Sequence, residues 1–373
     1  MTETPGHPGG AGDVPGLGTA EQILNLARWA PSGDNTQPWR FRIESPDHIV
    51  VLGRDTREHC VYDLRGEASR LAHGALLECI AIAASHHGLR AVATARPDCP
   101  DHAPVYDVRL VTDAAIAPDP LAQCIERRTV QRRPMSRRPL GANQRQALEA
   151  CLAPGYTVRW LGGADRLRMA RVLFGNGRLR LLLPEGFPLH RDIIEWGARF
   201  SEDRIPEQAV GFDPLTARVS RWALHSWARL SFLNRYLGGT LLPALQLDFM
   251  PALACAAHFV LVAPTPAETT DDFVAAGRQL MRFWLTATQQ GLHLQPEMTP
   301  LIFARYQRQG LGFTRVPALR RKAALVTGRL IALAGRDTLD RAVFMGRLGV
   351  SQTPRARSLR FSLTTLRLLA PAP

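Results

Sequence analysis

The sequence of 373 residues contains almost no lysine. Lys322 is the only one, although lysine and arginine together number 46 and the formal net charge is +13. The positive charge is therefore carried almost wholly by arginine, whose planar guanidinium matches the oxygens of phosphates and carboxylates. A charge of this sign and size favours anionic ligands or partners.

Paired cysteines and long apolar runs are also missing. The six cysteines are scattered and form no C-x-x-C pair, which excludes the usual zinc and redox motifs, so we expect no metal site. No run of 18 apolar residues occurs, and residues 1–18 lack the basic-then-apolar pattern of a signal peptide. We expect a cytoplasmic protein with no membrane partner and a flexible N-terminal tail over residues 1–18.

The common nucleotide and hydrolase motifs are absent as well. No G-x-G-x-x-G follows a strand, and no G-x-x-x-x-G-K-[ST], H-E-x-x-H or G-x-S-x-G occurs. The usual dinucleotide fingerprint, phosphate loop, zinc-protease helix and nucleophile elbow are thereby excluded. Four other stretches remain to carry a function.

Strand-like alternation and helix-like periodicity occur in turn along the chain. Residues 39–43 and 105–111 alternate as half-buried strands do, and further strands are predicted at 48–52, 156–161, 258–262 and 342–348. Helices are predicted at 67–87, at about 165–183 and from Thr270 to about Gly291. Because no regular strand–helix–strand repeat appears, we predict an α+β fold. Two helix-and-strand series suggest two similar halves, over residues 19–126 and 127–373. The second half contains an aromatic-rich helical insert at about 184–247.

The stretch "APSGDNTQPW" at residues 30–39 ends a helix at Pro31 and continues into a strand. Ser32, Asn35 and Gln37 offer hydrogen-bond donors and acceptors that suit the polar edge of a heterocycle. An ordinary helix-to-strand turn has the same composition, and that alternative stays open.

The stretch "RRTVQRRPMSRR" at residues 127–138 has six arginines. Arginine forks bind phosphate oxygens in bidentate fashion. The candidate ligands of a phosphate are Arg127, Arg128, Thr129, Arg132 and Arg133. A solvated basic loop is the alternative. Nucleic-acid binding is not expected, because no aromatic residue for base stacking lies among the arginines.

Two further stretches complete the set. "GLHLQPEMTP" at residues 291–300 follows a predicted helix, and the backbone around Pro296 and Met298 can present free N–H groups to a ligand. "TPRARSLR" at residues 353–360 contributes Arg355, Arg357 and Arg360. A plain helix–strand connection and a basic tail are the alternatives for these two stretches.

Taken together, the four stretches resemble the FMN-dependent nitroreductase family. Its A-P-S-x-x-N-x-Q-P-W segment is matched here at every named position. Its R-R-[ST]-x-R segment is similar to "RRTVQRR", with Gln131 where a basic residue is usual. Its G-L-x-x-x-P segment and its basic C-terminal segment have counterparts in "GLHLQP" and "RARSLR".

The resemblance implies a nitroreductase-like fold, with mostly antiparallel sheets surrounded by helices. It implies noncovalent FMN, with arginines on the phosphate and a backbone N–H after Pro296 facing flavin N5. The arginine segment follows the A-P-S segment here, whereas it precedes it in typical members. This order resembles the long, internally duplicated branch, in which one chain mimics the usual homodimer. We expect a monomer of that kind or a homodimer.

The function that the resemblance implies is an oxidoreductase that passes electrons through FMN between NAD(P)H and a small organic substrate. One alternative is a flavin-storing protein whose insert covers the site. Another is a specialised biosynthetic flavin oxidase or dehydrogenase, or an enzyme that fragments flavin. In such an enzyme Glu195 or His225 of the insert is the candidate acid or base.

Overall fold

The computed structural model of the protein describes residues 16–368. Most of the tail predicted over residues 1–18 therefore lies outside the described residues. The N-terminal part contains α1 (Thr19–Ala27), β1 (Trp39–Ser45), β2 (His48–Gly53), α2 (Glu67–Ser85), β3 (Leu89–Ala95), β4 (Val105–Thr112) and α3 (Ala122–Ile125).

The rest of the chain contains a second series of elements with an insert in its middle. The series begins with α4 (Ala142–Ala150), β5 (Thr157–Leu161) and α5 (Asp165–Leu182). The insert contains α6 (Phe187–Asp192), β6 (Ile194–Glu195), β7 (Phe200–Ser201), β8 (Ile205–Pro206), α7 (Glu207–Val210), α8 (Pro214–Ala223), α9 (Trp227–Tyr236), α10 (Leu241–Ala244) and α11 (Met250–Leu253). The series ends with β9 (Ala257–Val262), α12 (Thr270–Gln289), β10 (His293–Pro296), α13 (Thr299–Arg308), α14 (Pro317–Ala334), α15 (Arg336–Arg341), β11 (Ala342–Gly349), β12 (Arg357–Ser358) and α16 (Leu363–Leu366).

Two four-stranded antiparallel sheets dominate the fold. Their strand orders are β1-β2-β4-β3 and β5-β9-β11-β10. In both, two strands precede a long central helix and two follow it, and the fourth strand lies beside the second. The chain therefore uses one topology twice, and residues 162–256 interrupt the second copy. The α+β class with antiparallel sheets is confirmed; the division into halves at residues 126 and 127 stays a prediction.

The two central helices, α2 and α12, pack directly on each other. A Cβ atom on Gly74 would lie 2.0 Å from the carbonyl oxygen of Val274, and one on Gly277 would lie 2.1 Å from that of Leu71. Only glycine permits this close approach of the two backbones. Met281 and Leu285 of α12 pack in the N-terminal core. The two sheets are thus joined through interleaved helices.

The insert is attached to the body by short strands. Residues 184–247 were predicted to form a helical insert, but β6, β7 and β8 also lie there. β7 pairs in parallel with β12 near the C-terminus, and β6 pairs with β8. Two-residue strands have no periodicity to detect, because tertiary contacts alone define them. Among residues 16–368, no helix is long and apolar enough to cross a bilayer.

Candidate functional site

A cavity of about 710 Å³ lies where the four sequence stretches meet. This volume is in the range of small-molecule and cofactor sites. The four stretches contribute the following wall residues: Pro31, Ser32, Gly33, Asp34, Asn35, Thr36, Arg128, Thr129, Val130, Arg132, Gln295, Pro296, Glu297, Met298, Thr299, Arg357, Ser358 and Arg360. Stretches as far apart in sequence as Ser32 and Arg360 are thereby brought together.

The first of these stretches has an unusual backbone. Asp34, Asn35 and Gln37 all have positive φ angles, of 50°, 63° and 46°. Left-handed backbone at residues other than glycine costs of the order of 1 kcal/mol each and is often found at functional sites. The Oγ atom of Ser32 accepts a hydrogen bond from the N–H of Gln37 at 2.9 Å, which closes this turn.

Gln37 has a structural role, contrary to the ligand role predicted for it. It is fully buried and outside the cavity wall. Its Nε2 donates to the carbonyl of Glu202 at 2.8 Å, and its Oε1 accepts from the N–H of Phe361 at 2.9 Å. The side chain thus fastens the insert and the C-terminal segment to the first stretch.

Asn35 also bonds the insert and the C-terminal segment to the first stretch, and it lines the cavity wall. Its Nδ2 donates to the carbonyls of Glu202 at 2.9 Å and Leu359 at 3.2 Å. Its Oδ1 is buried and has no hydrogen-bond partner among residues 16–368. The Nδ2 group of Asn35 therefore stabilises the fold, whereas its Oδ1 atom is left without a hydrogen-bond partner in the described residues.

Two buried arginines and one half-buried arginine form a positively charged cluster on the wall. Arg128 is 3% exposed, and its Nη2 donates to the carbonyl of Trp29 at 3.2 Å. Arg360 donates from Nε to the carbonyl of Ala30 at 3.0 Å, and Arg357 lies over the ring of Trp29. Within residues 16–368 none of the three has a carboxylate oxygen within 4 Å of its guanidinium nitrogens.

The lack of a paired anion shows in the pKa values of the cluster. Burial, together with the charge of Arg357, lowers the pKa of Arg128 to about 10. Burial, together with the charges of Arg128 and Arg357, places the pKa of Arg360 well below its ordinary value. Buried charges of one sign repel each other unless an anion lies among them. The cluster is therefore arranged to bind an anion.

The other predicted phosphate ligands divide into two groups. Thr129 and Arg132 line the cavity, and burial lowers the pKa of Arg132 to about 10 while Asp34 opposes this shift. Arg127, Arg133 and Arg355 are exposed and lie outside the wall. Their side chains do not take part in the cluster.

Gln131 stands where the family that the sequence resembles usually has a basic residue, and its side chain makes hydrogen bonds within the fold. Its Nε2 donates to Oγ of Ser351 and to the carbonyl of Gln352, both at 3.1 Å. Its backbone N–H donates to the carbonyl of Leu294. A polar but uncharged residue at this buried position fixes the arginine segment against β10.

The segment after Pro296 differs in detail from what the resemblance implies. The N–H of Glu297, directly after the proline, donates to the carbonyl of Met345 at 2.9 Å. It is thus not free for a ligand. The next N–H, that of Met298 at the N-terminus of α13, has no acceptor in the described part of the chain. The free donor on this wall is therefore one residue further along.

Glu297 belongs to a buried ionic network that the sequence did not reveal. Its carboxylate binds Nδ1 of His258 at 2.7 Å and Nη1 of Arg347 at 2.9 Å. Nε2 of His258 lies 3.0 Å from the carbonyl of Ala252. Nε2 also lies 3.6 Å from Sγ of Cys255, and a doubly protonated imidazole has an acceptor oxygen at each of its nitrogens. Burial opposes this charge, but Glu297 outweighs it and raises the pKa of His258 to about 10.

A second polar group on the wall involves the insert. The hydroxyl of Tyr62 and Nε2 of His190 are 2.9 Å apart, and Arg180 is paired with Asp248 at 3.0 Å. Burial, aided by the charge of Arg180, lowers the pKa of His190 to about 3, so the imidazole is neutral at pH 7. Burial raises the pKa of Asp34. Of these residues only Asp34 lies in a sequence motif.

The two residues proposed as acid or base are not in the cavity. Glu195 is half-buried on β6, and His225 is exposed between α8 and α9; neither lines the wall. The structure does not bring them together with the predicted ligand-binding residues. Among residues 16–368, no group of three His, Cys, Asp or Glu side chains is placed to hold a metal ion.

Comparison with known proteins gives no functional description. No family model matches the chain. It is similar to a protein of Mycobacterium tuberculosis (strain CDC 1551 / Oshkosh) that is named only as uncharacterized. The two are 24% identical over 300 residues, which cover 77% of this chain and 40% of the relative. The chain thus spans about two fifths of the length of that relative.

Proposed function

We propose that the cavity binds FMN noncovalently and that the protein is an oxidoreductase of the nitroreductase type. Electrons would pass between NAD(P)H and a small organic substrate. One observation carries this proposal: the four stretches that resemble the nitroreductase family, from Ser32 to Arg360, converge on one cavity.

The residues on the wall fit FMN. A phosphate dianion would offset the charges of Arg128, Arg357 and Arg360, which no carboxylate in the described residues pairs. Seven residues of the same wall have a buried polar atom with no hydrogen-bond partner in the described part of the chain. They are Asn35, Arg128, Arg180, Trp284, Gln295, Arg347 and Arg357. Such atoms are costly unless a ligand or water satisfies or compensates them.

Bound FMN would supply the redox chemistry, and the protein would position it and adjust its potential. The arginine cluster would bind the phosphate. Ser32, Asn35 and the N–H of Met298 are the polar groups available to the ring. Arg347 and the imidazolium of His258 flank one carboxylate, so this network adds a net positive charge to the wall.

The repeated topology supports the proposal that one chain mimics a homodimer. The A-P-S stretch precedes the first sheet. Residues 295–299 lead from β10, a strand of the second sheet, into α13. A cavity between stretches from both topological copies corresponds to a site between two subunits. We therefore propose one FMN site per chain.

Flavin storage is the second candidate, because α8 and α9 of the insert contribute to the cavity wall. Mixing the FMN-loaded protein with NADPH or NADH in a stopped-flow instrument separates the two functions. Prompt bleaching of the flavin absorption band at about 450 nm would support the oxidoreductase function. A flavin that neither nucleotide reduces would support storage.

A further inference from the structure

The insert carries an unusual share of the exposed apolar surface of the protein. Of the 17 large apolar side chains that are exposed among residues 16–368, ten lie between residues 215 and 250: Leu215, Val219, Trp222, Phe232, Tyr236, Leu237, Leu241, Leu242, Leu245 and Met250. We call these side chains, with the arginines among them, the insert surface. Exposed apolar patches of this kind mark interaction sites.

Most of this stretch, residues 214–247, carries no acidic side chain. Arg218, Arg221, Arg229 and Arg235 lie between Asp213 and Asp248, and no Asp or Glu occurs between these two aspartates. Arg229 lies over the ring of Trp222 at 5.2 Å, and Arg235 lies over that of Tyr236 at 5.5 Å. Exposed apolar and cationic side chains are therefore interleaved along this stretch, and two of the arginines lie on its aromatic rings.

The insert surface continues into the mouth of the cavity. Leu215, Val219, Leu237 and Leu242 are exposed and also line the cavity wall. A partner bound on this surface would lie at the entrance through which ligands reach the cavity.

We propose that the insert surface docks on an anionic phospholipid bilayer, with the cavity mouth at the lipid interface. Arginines reach toward lipid phosphates while their stems stay on apolar surface, and tryptophan and tyrosine favour the headgroup region. Anionic lipid complements a surface that has four arginines and no acid. A second copy of the chain fits less well, because a two-fold contact would place like charges together.

The expectation of no membrane partner rested on the lack of a spanning segment, and no helix among residues 16–368 could cross a bilayer. Attachment to the bilayer surface needs no such helix. The inference does not depend on FMN, because it concerns the outer faces of the insert helices.

The test is sedimentation of the full chain with vesicles of phosphatidylcholine alone or mixed with phosphatidylglycerol. We expect binding to the mixed vesicles that salt weakens, and little binding to phosphatidylcholine. The triple variant Arg218→Gln, Arg221→Gln, Arg235→Gln should bind more weakly by about fivefold per arginine. The double variant Phe232→Asp, Tyr236→Asp should lose binding.

The matched control is Arg320→Gln, Arg321→Gln, Leu325→Asp, on the exposed face of α14, which should bind as the unchanged protein does. The proposal would be overturned if the triple variant or the double variant bound the mixed vesicles as tightly as the unchanged protein does. Self-association without vesicles that Phe232→Asp abolishes would also overturn it, because it would assign the surface to a second copy. Far-ultraviolet circular dichroism establishes that each variant is folded.

Discussion

The guanidinium carbon of Arg128 lies 4.5 Å from the ring centroid of Trp284. Arg128 comes from the segment between the two sheets, and Trp284 lies on α12, the central helix of the second topological copy. The aromatic ring holds the cation without neutralising it. The charge of Arg128 therefore remains available to an anion in the cavity.

Replacing Arg128 with glutamine should weaken FMN binding by about 10- to 100-fold, since hydrogen bonds to charged groups contribute about 1.5–3 kcal/mol. The apoprotein should be at least as stable as before, because the change relieves repulsion from Arg357 and Arg360. Fluorescence titration and urea unfolding measure the two effects. Arg127→Gln is the matched control, since Arg127 is exposed and outside the wall. Equal affinities for the two variants would contradict the assignment.

Gln37→Ala should lower the free energy of unfolding by about 1–3 kcal/mol, because it leaves the N–H of Phe361 without its buried acceptor. Thr36→Ala, which removes one hydrogen bond at an exposed turn, should cost much less. Urea denaturation of both variants checks this. Lost FMN affinity with unchanged stability in Gln37→Ala would instead favour the ligand role first predicted.

Gly74→Ala should destabilise the protein by about 1–3 kcal/mol or more, because the added methyl group would overlap the carbonyl oxygen of Val274. The control is Gly328→Ala on α14, where an added Cβ would meet nothing within 4 Å. That change should be stabilising by up to about 1 kcal/mol. Thermal unfolding compares the two. A tolerated Gly74→Ala would show that α2 and α12 are not held this closely.

His258 should make stability fall as the pH rises above neutrality. Its pKa is about 10 in the folded protein against 6.5 as an ordinary value. Between these values the folded state binds more protons than the unfolded state, so the free energy of unfolding decreases with pH. The contribution is complete below pH 6.5 and is lost as the pH approaches about 10.

Urea unfolding at several pH values, for the unchanged protein and for His258→Gln, measures this contribution. The difference in the free energy of unfolding should be largest below pH 6.5 and shrink toward pH 10. A difference that does not depend on pH would mean that folding leaves the pKa of His258 unchanged, and a difference that grows with pH would mean that the folded protein keeps the imidazole neutral.

Much of the fold was predictable, because its signals are local. Apolar alternation or continuous apolar runs indicated β1, β2, β4, β5, β9 and β11, and long periodic stretches indicated α2, α5 and α12. β3 was missed because it is an edge strand with mostly exposed residues, and β10 because it has four residues and ends in Pro296. Short or edge strands depend on their neighbours more than on their own sequence.

The site was predictable only in part. The resemblance indicated which stretches belong together, and all four contribute to the cavity wall. The resemblance did not indicate that Arg128 and Arg357 line the cavity, whereas their neighbours Arg127 and Arg355 are exposed. The difference depends on the packing of Arg128 on Trp284 and of Arg357 on Trp29. The network of His258, Glu297 and Arg347 joins three elements, and no spacing in the sequence marks it.

The proposed binding of FMN through Arg128, Arg357 and Arg360 is tested most directly by the flavin absorbance, at about 450 nm, that stays with the protein after incubation with FMN and gel filtration. We expect one FMN per chain for the unchanged protein and for Arg127→Gln, and markedly less for Arg128→Gln. Protein that remains colourless, or that retains flavin equally in all three forms, would contradict the proposal.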